Sequence, residues 1–129
     1  QLQVVAAIRF VMNGAYLSHL RELEQQEVSA EMKELQARAR KMADVFEVAV
    51  ERVKAAGVQE YQDLCARHLV EMAADTLMLH LLTYNATHAP ELFSKSARVY
   101  ARYAAAEVEK HLVFVNELSP EDLEAYRQV

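Results

Sequence analysis

Apolar residues recur along this chain at steps of three and four, the spacing of one face of an α-helix. From Leu2 to Glu24 the stripe is Val5, Ile8, Met12, Tyr16, Leu20 and Leu23. Gly14 interrupts it and permits a kink or a close helix contact. Gln25 to Val28 is a polar connection, and Ser29 is the N-cap candidate of a second helix running to about Ala56. Its stripe is Met32, Leu35, Ala39, Met42, Phe46, Ala49, Val53 and Ala56, and Gly57 stops it. A third helix is predicted from Val58 to about Tyr84. Between Leu69 and Leu82 its only polar residues are Glu71, Asp75, Thr76 and His80. A helix apolar on nearly all sides needs cover on nearly all sides, so this one is predicted to be central. Asn85 to Pro90 reads as a breaker, and a fourth helix from Leu92 to about Asn116 follows. Its predicted stripe passes through Phe93, Ser96, Val99 or Tyr100, Tyr103, Ala106 or Glu107, and Leu112 to Phe114. Ser119, Pro120, Glu121 and Asp122 form a helix start that leads to Leu123 and Tyr126.

No alternating strand pattern occurs. The fold predicted is all-α: an antiparallel four-helix bundle with a short additional C-terminal helix, one domain over residues 1–129. The first residue is Gln1 rather than Met, and the chain is expected to be a fragment of a longer one.

Composition narrows the functional classes. Hydrophobic residues make up 53% of the chain against two Gly and two Pro, which favours few, long elements. A net charge of −5 argues against a nucleic-acid surface and against a basic membrane-binding face. The longest apolar run is too short to span a bilayer. No secretory signal is visible, and a cytoplasmic location is expected. The single cysteine, Cys65, excludes an intramolecular disulfide and is read as a buried structural thiol.

Bundles can host di-metal sites, which use Glu-x-x-His pairs because that spacing puts both ligands on one inward face. None of the five histidines has an acidic residue three positions before it. Glu107 with His111, and Glu71 with Asp75, are each four apart and can share a face. No catalytic, cofactor-binding or metal-ligating residue is assigned on this basis. Asp75 is singled out as a buried polar or interface candidate. It sits in the most apolar stretch, where an unpartnered carboxylate is costly, so a mostly buried, hydrogen-bonded side chain is expected.

Two segments carry a family resemblance: Met72 to Leu82, and Ser96 to His111, which contains Arg98, Tyr100, Tyr103 and Glu107. Together with Met32 to Ala56 they resemble the extra C-terminal helical domain of some acyl-CoA dehydrogenase-like flavoproteins. The resemblance implies a non-catalytic accessory bundle that serves packing, subunit or partner contacts. Its partner is then the remainder of a parent enzyme or a second copy of the chain. It implies FAD in the parent enzyme and no cofactor in this portion, since two isolated glycines cannot supply glycine-rich flavin contacts. From the residues alone the alternative is a free-standing, self-associating helical interaction module, with Val4, Leu17, Val45 and Val50 as candidate patch residues off the main stripes.

Overall fold

The computed structural model describes residues 2–123, with side chains from residue 7 onward. Its elements are α1 (Leu2–Met12), α2 (Ala15–Leu23), a single 3-10 turn (Ala30–Met32), α3 (Lys33–Ala56), α4 (Gln59–His88) and α5 (Pro90–Glu117). Among the described residues there is no strand. Residues 120–123 begin a further helical turn, and Tyr126 lies outside the described residues.

The first predicted helix is two helices. Gly14 takes φ +83°, a left-handed conformation that ends α1 and that side chains with a Cβ resist. The Asn13 Oδ1 accepts a hydrogen bond from the Ala15 N–H at 2.9 Å, and so supplies one of the backbone partners α2 lacks at its start. Ser29 does not cap α3 with its hydroxyl. Its own N–H donates instead to the Thr87 hydroxyl at 3.0 Å, tying the entry of α3 to the end of α4.

α4 runs through Asn85 to His88 and stops only at Ala89, φ −140°. The residue before a proline is pushed out of the helical region, and Ala89 precedes Pro90. Asn85, Thr87 and His88 do not break it sooner. The Thr83 and Thr87 hydroxyls bond back to the carbonyls of His80 and Thr83, each at 2.8 Å, so their polar groups are satisfied inside the helix. Gly57 caps α3 in the left-handed conformation, as predicted. At the far end the Ser119 N–H and hydroxyl both donate to the Asp122 carboxylate, at 2.7 and 3.1 Å. The carboxylate three residues on thus satisfies the Ser119 N–H, one half of a capping box.

α4 packs against α1, α2, α3 and α5, so the central position predicted for it is the one it holds. Cross-contacts fix the direction of α5 against it. Tyr61, early in α4, donates to the Leu118 carbonyl at 3.1 Å, whereas Asp75 meets Tyr100. The two helices are therefore antiparallel. α3 buries Leu35, Ala39, Met42, Phe46, Ala49 and Val53, the predicted stripe except at its last residue, Ala56, which is half-buried.

The stripe of α5 is displaced by one residue from the prediction. The buried face is Ser94, Ala97, Ala101, Ala104, Val108, His111 and Val115, while Val99 and Tyr103 are exposed. Alanines on the inner face let α5 approach closely, and the larger residues are left at the edges or outside. The patch expected from Leu17, Val45 and Val50 is not there. Val50 is buried and the other two pack against the core; the side chain of Val4 lies outside the described residues. Polar anchoring is added by Arg21 of α2, which meets Glu24, Asp44 and Glu47 at 2.7 to 2.9 Å and so links α2 to α3.

Candidate functional site

The seam between α4 and α5 gathers most of the interior chemistry. Asp75 lies on it. Its neighbours Met72 and Leu79 are fully buried, but the carboxylate stands one helical edge away, half-buried rather than mostly buried. It accepts a hydrogen bond from the Tyr100 hydroxyl at 3.2 Å, so its partner comes from within the bundle. Burial holds the Asp75 carboxyl above the ordinary carboxylate range, with the Tyr100 bond working against that rise. Burial, followed by the Asp75 charge, pushes the Tyr100 phenol above its usual value.

One and two turns further along lie Glu71 on α4 and Glu107 and His111 on α5. The Nε2 of His111 is 2.9 Å from Glu71 Oε2 and 3.8 Å from Glu107 Oε2. Its Nδ1 is 2.8 Å from Nδ1 of His68. The His111 side chain is 3% exposed, so its ring nitrogens depend on these neighbours. A carboxylate only accepts, so the tautomer that suits Glu71 carries its proton on Nε2. In the neutral ring Nδ1 then accepts from the Nδ1–H of His68. The His68 ring stacks on Phe114, centroids 3.9 Å apart. Burial, and then the neighbouring His111, hold its pKa below the usual histidine value.

The spacing of four within Glu71–Asp75 and within Glu107–His111 is visible in the sequence. Which pair faces which is not, because that depends on the rotation and register of α5 against α4. Asp75, Glu107 and His111 offer one donor atom each, all within 4.8 Å of one another.

Beside this polar cluster, further along the seam, the surface turns apolar. A groove is lined by Leu82, Lys95, Ser96, Val99, Tyr100 and Tyr103. Of its lining residues Val99 and Tyr103 are more than half exposed, and Met78, Leu81 and Leu92 on the same two helices are also exposed. Cys65 is fully buried and burial pushes its thiol up, which leaves it inert as a nucleophile. Among the described residues no helix is long and apolar enough to cross a membrane.

The chain belongs to the acyl-CoA dehydrogenase C-terminal family, whose model matches residues 12–123. Its fold is similar to that in the crystal structure of an acyl-CoA dehydrogenase family protein from Porphyromonas gingivalis, with 37% sequence identity and a TM-score of 0.84. The match covers 89% of this chain and 99% of that one. No curated protein matches.

Proposed function

We propose that this bundle is the non-catalytic C-terminal domain of an acyl-CoA dehydrogenase-like enzyme and that its outer α4/α5 face is the surface that meets the rest of that enzyme. The observation that carries the reading is the α4/α5 groove lined by Leu82, Val99, Tyr100 and Tyr103, with Met78, Leu81 and Leu92 also exposed on these helices, in a chain of this family. Leaving such a face in water forgoes about 25 cal/mol for each Å² of apolar surface that a partner would cover.

FAD belongs to the parent enzyme in this reading; this chain's two isolated glycines, Gly14 and Gly57, offer no glycine-rich flavin contact. No step of flavin chemistry is assigned to this domain.

Two measurements test the reading. The gene is expected to encode a flavoprotein portion in frame ahead of Gln1; a stop codon there, with no flavoprotein frame, overturns it. In the parent enzyme, Val99→Asp with Leu81→Asp is expected to loosen the assembly, lowering its melting temperature or dissociating subunits. The isolated bundle, where both side chains face water, should melt as before. A parent enzyme that melts and sediments unchanged removes the face from the proposal. An isolated bundle that light scattering shows to be a dimer, and a monomer after the same substitutions, replaces the proposal with self-association.

A further inference from the structure

The seam cluster has a donor set that the contact function does not use. Glu71 and Asp75 project from successive turns of α4, and Glu107 and His111 from successive turns of α5. Nε2 of His111 has two carboxylate oxygens close to it, at 2.9 and 3.8 Å. Asp75, Glu107 and His111 place one donor atom each within 4.8 Å of the others. Donors around one tetrahedral ion with bonds of 2.0–2.2 Å stand about 3.3–3.6 Å apart, so closure needs up to about 1.5 Å. The carboxylates are half-buried, and rotamer shifts of their side chains can supply that movement.

We propose that Asp75, Glu107 and His111, with Glu71 beside them, form a site for a divalent transition cation that clamps α4 to α5. The set of carboxylate oxygens and one imidazole nitrogen suits zinc, iron(II) or manganese(II) better than magnesium or a thiolate-seeking ion.

The surrounding groups match what an ion requires of them. A ligating histidine holds its other ring nitrogen on a partner, and a ligating carboxylate is itself hydrogen-bonded. Nδ1 of His111 is already on His68, and Asp75 is already held by Tyr100. With the ion on Nε2 the protons relocate. His111 carries its proton on Nδ1 and donates to Nδ1 of His68, whose own proton moves to Nε2. Each ring keeps one proton, so the neutral pair releases none. Two cations compete with the ion: Lys110, whose Nζ is 2.8 Å from Glu107, and Arg67, 3.4 Å from Glu71. Both side chains are mostly exposed and free to withdraw.

The test uses the whole 129-residue chain without a histidine tag, stripped with a chelator and titrated calorimetrically with zinc and with manganese. One ion per chain is expected, with magnesium failing to compete. Asp75→Asn and Glu107→Gln should each weaken binding by at least about tenfold. Lys110→Met should tighten it, since it removes the competing ammonium from Glu107. Circular dichroism of each variant separates lost ligands from lost fold. Nitrogen-15 spectra of the histidine rings should show His111 and His68 exchanging tautomers when zinc is added. The proposal is overturned if no saturable binding is seen. It is also overturned if the folded double variant Asp75→Asn, Glu107→Gln binds as the parent does, or if the rings of His68 and His111 do not respond while His19 or His88 does.

Discussion

His80 is the buried group whose protonation the fold tolerates least. It lies on the inner face of α4, 1% exposed, and its Nε2 finds no hydrogen-bond partner among the protein's own groups. Burial, and then the positive charges of Arg40 and His19, lower its pKa from 6.5 to about 4. The unfolded chain therefore takes up a proton near pH 6.5 that the folded chain refuses until about pH 4. The sign follows directly: His80 costs nothing well above pH 6.5, and stability falls as pH drops from there towards 4. With about 1.36 kcal/mol for each unit of pKa difference, the loss between pH 7 and pH 5 is about 2 kcal/mol, rising to about 3 kcal/mol below pH 4. Urea melts followed by circular dichroism at pH 7, 6 and 5, on the parent and on His80→Leu, measure it. Leucine fills similar space and carries no proton. His80→Leu is expected to be at least as stable at pH 7, because it removes an unpartnered buried nitrogen, and to lose about 2 kcal/mol less on going to pH 5. Equal losses in the two proteins would refute the reasoning, since other titrating groups are common to both.

The alanine face of α5 gives a second expectation. Ala101→Leu should destabilise the fold by about 1–3 kcal/mol in denaturant melts through overpacking against α4, whereas Val99→Leu, on the outer face, should change it little. In chelator-treated protein, Asp75→Asn should cost about 1 kcal/mol. Tyr100→Phe should cost a similar amount, and the double variant should cost less than the two together, because they share one hydrogen bond. Strict additivity in that cycle would show that the pair does not interact.

The helices, their order and the centrality of α4 were legible in the sequence because burial repeats every three to four residues when the buried side chains are large. α3 shows this best: Leu35, Met42, Phe46 and Val53 mark its inner face, Met32 in the turn before it continues the stripe, and each is buried. α5 shows where that signal misleads. Periodicity gives most weight to bulky residues, yet Val99 and Tyr103 point outward while Ala97, Ala101 and Ala104 are fully buried. Small residues announce no face on their own; the close approach of α4 decides it. The same boundary runs through the seam. Within one helix, the spacing of four that joins Glu71 to Asp75, or Glu107 to His111, follows from 3.6 residues per turn and is readable in the chain. The meeting of the two pairs, of His111 with His68, and of Asp75 with Tyr100 is set by how far α5 is rotated and shifted against α4. Only the packing of two already formed surfaces determines that rotation.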